Sequence, residues 1–215
     1  MQTLQIESPP LYEQFAGYEW IGEFVSGWQF GEQGCLAEIV RRLGDCRVVV
    51  EVGGGDGEEL PLTIDPLLGS LTAIAYEMDE ENRRKLANKY GKQLHVRGMF
   101  TGGECLANTL PDVLLIDVDG IDALYMESSL QHVHPQIVVV EHYDKCGPVV
   151  NDMPQAAEAV PQWLLGMPVF NGFVIQAPSQ HLDRIASRHG YQPIFRTRLN
   201  SFYASRKAAK ELHCV

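Results

Sequence analysis

Val48–Gly57 reads VVVEVGGGDG, and its reading decides the fold. The run Arg47–Val52 is β-branched apart from its flanking Arg47 and the acid Glu51, which suits a strand buried on both faces. Glycines follow at 53, 54, 55 and 57. Such a cluster suits a tight turn where backbone must approach a ligand, because a Cβ there would collide with it. Twenty residues after Gly57 a second apolar run, LTAIAYE, ends in Glu77. A glycine turn after one strand and a carboxylate closing the next mark a nucleotide site in a doubly wound α/β sheet. The carboxylate would accept from ribose hydroxyls.

Spacing helps to choose the cofactor. A dinucleotide fingerprint is GxGxxG, whereas this chain has Glu51-x-Gly53-x-Gly55-x-Gly57. That disfavours an NAD-type oxidoreductase. Glu51 and Asp56 would repel a pyrophosphate but offset a cation. S-adenosylmethionine carries a sulfonium and an ammonium, and the pattern resembles the first motif of class I methyltransferases that use it. A glycine-rich turn without any ligand is the plainer alternative.

The 215 residues suffice for one α/β domain with a full core. Seventeen basic against 28 acidic residues, net −11, argue against a nucleic-acid footprint or an anionic membrane surface. The five cysteines (35, 46, 105, 146 and 214) are odd in number and lack CxxC spacing, so reduced thiols are expected rather than structural zinc or disulfides. MQTLQIESPP has no basic and apolar regions of a signal peptide, and no apolar run approaches the roughly 20 residues of a membrane span. The expectation is a cytoplasmic protein with no membrane and no nucleic-acid partner, its oligomeric state open.

Residues 1–30 are rich in aromatics, from Tyr12 to Phe30, and are expected to pack on the domain or cover its cleft. The domain proper spans 31–206, with a tail at 207–215. An amphipathic helix is expected over Gly31–Leu43, a second strand over Leu71–Tyr76, and a helix over Glu80–Tyr90 capped by Asp79 and stopped by Gly91. Strands Gln93–Val96, Asp112–Asp117 and Gln136–Glu141 follow, with a helix at Ile121–Leu130 before the last. Residues 145–178 hold five prolines and form an irregular insert, either a substrate-recognition lid or a packed excursion. A helix from Ser179 to His189 and a hairpin of Gln192–Arg196 with Ser201–Ala204 close the chain, adding antiparallel strands to a mostly parallel sheet.

LLIDVDGIDALYMESSL…PQIVVVEHYD, Leu114 to Asp144, resembles the FkbM-type methyltransferase-like proteins. In that group a strand ending IDxDGxD leads into a helix and then into a strand ending in an acid. WQFGEQGCLAEIVRRLG (Trp28–Gly44) and HGYQPIFRTRLNSFYASR (His189–Arg206) resemble the group's first helix and closing hairpin, in the same order. The resemblance implies a seven-stranded class I methyltransferase sheet of order 3-2-1-4-5-7-6. It also implies S-adenosylmethionine binding and methyl transfer, often to a hydroxyl of a sugar or natural product. The GGGDG turn, the EHYD ending and the 145–178 insert depart from the group's pattern, so the substrate does not carry over.

Ligands in open α/β sheets sit at the carboxyl ends of the strands. Gly53, Gly55 and Gly57 would admit the methionine part, with Glu51 and Asp56 offsetting its charge; Glu77 would take the ribose. Met78 with Met99 or Phe100 would sandwich the adenine, and Asp117 would face the ammonium or the substrate. Asp119 and His142 are the candidate bases for a hydroxyl proton. Asp117, Asp119, Glu141, His142 and Asp144 also offer hard ligands to a divalent metal, a less favoured reading. The leading function is O-methylation of a small molecule or glycan. The alternative is a non-catalytic S-adenosylmethionine-binding protein acting through a partner.

Overall fold

The computed structural model describes residues 12–27, 30–58, 61–118, 120–142 and 177–213. Eight strands form one sheet: β1 (Tyr12–Gln14), β2 (Val48–Val52), β3 (Thr72–Tyr76), β4 (Leu94–Arg97), β5 (Val113–Ile116), β6 (Ile137–Glu141), β7 (Tyr191–Thr197) and β8 (Asn200–Ser205). Their spatial order is β1-β7-β8-β6-β5-β2-β3-β4. Strands β4-β3-β2-β5-β6 run parallel, β8 lies antiparallel between β6 and β7, and β1 adds an antiparallel edge against β7. Without β1 this is the seven-stranded order of the class I methyltransferase fold. The eighth strand comes from the aromatic-rich N-terminal segment, whose three strand residues are too short a run to be read from periodicity.

Helices cover both faces. On one face lie α1 (Glu32–Leu43), α2 (Glu80–Tyr90) and α5 (Arg206–His213), together with the segment from Leu62 to Leu67. On the other lie α3 (Asp122–His132), α4 (Ser179–Arg188) and the short 3-10 helix Gly103–Leu106. The strands alternate between these layers, as a pleat requires. Val49, Ala73, Val113 and Ile137 join the first core, and Val50, Ile74, Leu114 and Val138 the second. Tyr18 and Ile21 bury themselves in the first, and the Arg42 guanidinium stacks 3.7 Å from the Trp20 ring, so the N-terminal segment packs on the α1 side. Beyond the hairpin the sequence reading set only a tail. The structure forms α5 there, with Ala208, Ala209 and Leu212 buried against the same core.

Local chemistry fixes the ends. Gly44 closes α1 in the left-handed region, its N–H returning to the Val40 carbonyl. The Asp79 side chain accepts from Asn82 N at 2.8 Å and starts α2, and acids fill the first turn. Helices α1 and α2 follow their expected bounds closely. Between β2 and β3, Asp65–Leu67 forms a 3-10 turn around Pro66. No helix among the described residues is long and apolar enough to cross a membrane.

Candidate functional site

The strand order reverses at β2, with β3 on one side and β5 on the other, so the topological switch point, where open sheets of this kind bind ligands, lies at the carboxyl end of β2. Register then places the site residues. Val52 pairs with Tyr76 and with Ile116, and Ile116 with Val140. One residue further on, Glu77, Gly53, Asp117 and Glu141 are level across β3, β2, β5 and β6. All four share one face by the period-two alternation. Three acids thus line a row whose second place, on the central strand, is glycine.

Gly53 is glycine for a packing reason. Its φ is +96°, and a Cβ there would lie 1.7 Å from the Asp117 carbonyl oxygen. Its N–H and that of Gly54 both donate to the Tyr76 carbonyl, at 2.9 and 3.1 Å, carrying the ladder past the strand. Gly57, at φ +69°, lies where a Cβ would meet Leu86 of α2 at 2.7 Å. Gly55 has φ +56°, and its N–H donates to Glu77 Oε2 at 2.8 Å. Sequence reasoning gave all three glycines to the cofactor; the structure gives Gly53 and Gly57 close neighbours within the protein.

Glu77 is nearly buried and ties the turn to the β3 exit. Its Oε1 accepts from Asp79 N at 2.7 Å while Oε2 takes Gly55 N. The Arg83 guanidinium reaches from α2 to the carbonyls of Glu77 and Met78, pinning the same exit from behind. Each carboxylate oxygen has one protein hydrogen bond and a second lone-pair direction, so the group retains capacity for a diol. Met78, next in sequence, is 64% exposed, and Met99, beyond the neighbouring β4, is 50% exposed. Phe100 is instead packed edge-on between Tyr76 and Tyr125 in the core, which leaves the two methionines as the apolar surface at this end.

Glu51 lies one pleat below the row. Its oxygens accept from Thr63 N at 3.0 Å and Ile64 N at 3.2 Å, fastening the loop that follows the glycine turn. Burial raises its pKa to about 7, against the two backbone N–H donors that favour the charged form. Asp56 accepts from Glu58 N at 2.9 Å and faces the Lys85 ammonium at 3.4 Å. Both were expected to offset cofactor charge, and both have partners inside the protein.

At the other end, carboxylate oxygens of Asp117, Asp122 and Glu141 lie within 4.8 Å of one another. Asp122 was not singled out as a site residue. It is the third acid of Asp117-x-Asp119-Gly120-x-Asp122, and that spacing was the signal available. Its oxygens accept from Val118 N at 2.8 Å and Gly120 N at 2.9 Å, clasping the turn that leads into α3. Of the five residues considered as metal ligands, the structure gathers Asp117 and Glu141. His142 is not in that group, and Asp119 and Asp144 lie outside the described residues, as do 145–176 of the insert.

His142 follows Glu141 and by alternation turns to the opposite face of β6. It is buried, and its Nδ1 lies 3.1 Å from Ser201 Oγ on β8. Ser201 in turn accepts from Arg196 Nε at 3.0 Å. Asp183 of α4 receives both Arg196 Nη2, at 2.7 Å, and the Tyr203 hydroxyl, at 2.9 Å.

No protein-family model matches the chain, and no curated protein matches it significantly. Solved structures do resemble it. EvdMO1 aligns at TM-score 0.50 and 13% identity over 83% of this chain, which spans only 42% of that protein. A SAM-dependent methyltransferase from Aquifex aeolicus aligns at 0.49 and 15%, covering 89% of this chain and 98% of that one. CalS10, an amino pentose methyltransferase from Micromonospora echinaspora solved with SAM bound, aligns at 0.48 and 10%, covering 89% and 98%. At such identities the likeness is one of fold.

Proposed function

We propose that the protein is an S-adenosylmethionine-dependent methyltransferase acting on a hydroxyl of a small molecule or sugar. The observation that carries this is the row Glu77–Gly53–Asp117–Glu141 at the switch point, with Glu77 fastened to the glycine turn through Gly55. A crevice lined by three acids repels a pyrophosphate and attracts a sulfonium and an ammonium. Glu77 would take the ribose diol, Met78 and Met99 the adenine, and Asp117 the ammonium. The class I topology and the SAM-bound neighbour with the same fold support the cofactor.

Methyl transfer to oxygen needs the nucleophile, methyl and sulfur in line, plus a group that receives the hydroxyl proton. Asp119 and His142, past β5 and β6, are the candidates from sequence, and no step requires a metal. Titration calorimetry tests the cofactor: S-adenosylhomocysteine should bind and NAD should not, and Gly55→Val should abolish binding in a folded protein. NAD binding without S-adenosylhomocysteine binding would overturn the proposal. A second reading, a cofactor-binding protein without turnover, draws on the engagement of His142 by Ser201. Release of S-adenosylhomocysteine from S-adenosylmethionine in the presence of hydroxylated acceptors would set that reading aside.

A further inference from the structure

Glu51 lies on β2 two residues before Gly53 and on the same face of the sheet, about 7 Å below the switch point. Its carboxyl group is buried, and its hydrogen-bond partners are two neutral donors, the N–H groups of Thr63 and Ile64. No lysine or arginine among the described residues forms an ion pair with it. On α2, Lys85 faces Asp56 and Lys89 donates to the Gly57 carbonyl, and on α1 Arg41 and Arg42 are bonded to Glu38. The remaining titratable groups on the elements packed over this face are acids or weak acids. Asp65, in the loop that Glu51 fastens, adds repulsion. Helix α1 brings Glu32, held by Thr197 and Asn200, and the Cys35 thiol, which burial pushes up to about 12. Helix α2 brings Tyr90, a phenol raised by burial, and Glu77 and Asp117 flank Gly53 in the row above. Only two backbone hydrogen bonds therefore hold the charged form against burial, and the balance falls near neutrality, at a pKa of about 7.

We propose that Glu51 is a proton-linked counter-charge for the methyl donor: it holds a proton while the switch point is empty, releases it to the solvent when S-adenosylmethionine binds, and so couples cofactor affinity to pH. This regulation rests on the cofactor proposed above. In that ligand the ammonium and carboxylate of the methionine part cancel, and the sulfonium is the net charge brought to the end of β2. A positive charge roughly 7–8 Å away, in partly buried surroundings, favours the ionised carboxyl by about tenfold. Linkage makes the effect reciprocal, so protonation of Glu51 weakens binding by the same factor as binding drives the proton off. Ionised Glu51 also offers both oxygens as full acceptors to Thr63 N and Ile64 N, where a carboxylic acid has less acceptor capacity. S-adenosylhomocysteine lacks the sulfonium and displaces little of the proton. At higher pH the site therefore favours the methyl donor over the product that has lost its methyl, and at lower pH this preference fades.

Titration calorimetry of the full chain at pH 7, in two buffers of different ionisation enthalpy, counts the protons released. S-adenosylmethionine should release up to about half a proton more from the parent than from Glu51→Gln, and S-adenosylhomocysteine clearly less. Subtracting the variant removes any proton exchange by the ligand's own amino group. The ratio of parent to variant affinity for S-adenosylmethionine should rise up to about tenfold from about pH 6 to pH 8. An infrared difference spectrum of the parent with and without S-adenosylmethionine needs no variant, and it should show a protonated carboxyl band lost on binding. Equal proton counts in the parent and a folded variant overturn the inference, as does binding that leaves the protonated carboxyl band in place. Failure of the parent to bind either S-adenosyl compound is a distinct result, and it overturns the cofactor reading along with this link to it.

Discussion

The two ends of the crevice hold their acids differently. At the β2–β3 end, Glu77 and Glu51 accept from backbone N–H groups of Gly55, Asp79, Thr63 and Ile64, so the carboxylates organise the loops around them. At the β5–β6 end, carboxylate oxygens of Asp117, Asp122 and Glu141 crowd within 4.8 Å of one another, and Asp122 accepts from Val118 N and Gly120 N in the adjacent turn. The first end is a cradle already held in shape, as cofactor binding requires. The second is an acidic wall of three carboxylates. Under the proposed function the ribose and adenine contacts fall at the first end and the ammonium and acceptor contacts at the second, and substitutions at the two ends should act separately.

The largest effect is expected at the hinge of that comparison. Gly53→Val puts a Cβ against the Asp117 carbonyl in a left-handed backbone, with no flexible neighbour to yield. The loss should exceed about 3 kcal/mol, and urea unfolding should show little native protein. A folded Gly53→Val protein would mean that β2 and β5 can part, and that the two ends are not rigidly joined.

Glu51 gives the next effect, and its sign is set by burial. Its folded pKa is raised from 4.5 to about 7, so between these values the native state holds a proton that the unfolded state has lost. Stability from this group is therefore undiminished below about pH 4.5 and falls as pH rises towards 7, by about 3 kcal/mol in all. Glu51→Gln should lose one backbone hydrogen bond at every pH, about 1–3 kcal/mol, yet lack this decline. Unfolding free energies from pH 4.5 to 8 should show the variant gaining on the parent. Parallel curves would mean that Glu51 stays charged, and the cradle would then be held by a full ionic contact.

How far the sequence disclosed this follows from the range of each contact. Strands β2, β3, β5 and β6 were legible because each is a short apolar run closed by glycine or an acid. The turn at β2 and the acid at β3 were legible together because Gly55 and Glu77 are 22 residues apart in one crossover between adjacent parallel strands. His142 and Ser201 are 59 residues apart and meet only through antiparallel pairing of β6 with β8. A histidine after a strand reads as a candidate base, and nothing near it in sequence announces the buried serine beside it or the arginine bonded to that serine. Asp122 was hidden for another reason, since an acid at a helix start is ordinarily a cap. Here it caps the turn and joins the wall as well. The glycine spacing was read for a cofactor alone, whereas Gly53 answers to Asp117 and Gly57 to Leu86, contacts that a spacing rule does not contain.

Glu77→Ala should weaken cofactor binding at one end while sparing the other. It removes the acceptor of Gly55 N and Asp79 N together with the proposed ribose contact. Each charge-assisted bond is worth about 1.5–3 kcal/mol, so S-adenosylhomocysteine affinity by calorimetry should fall tenfold or more. Unchanged affinity would sink the ribose assignment. Equal loss from Glu141→Gln would erase the division between the two ends.

The smallest effect is the most selective. Met78 is largely exposed, so truncating it removes little packing, and Met78→Ala should change unfolding free energy by less than about 0.5 kcal/mol. A large apolar side chain held out at a strand end is nonetheless unfavourable in water unless something covers it. Met99, half exposed past the adjacent strand, presents the same kind of surface. If an adenine sits between them, each thioether contributes contacts of about 0.3–1.5 kcal/mol with the ring. Met78→Ala should then raise the dissociation constant of S-adenosylhomocysteine by roughly two- to tenfold. Met78→Leu, which keeps the apolar area without the sulfur, should recover most of it. The effect should vanish for a fragment that lacks the base, such as homocysteine. A stability loss without an affinity loss would assign Met78 to packing and move the adenine elsewhere along the crevice.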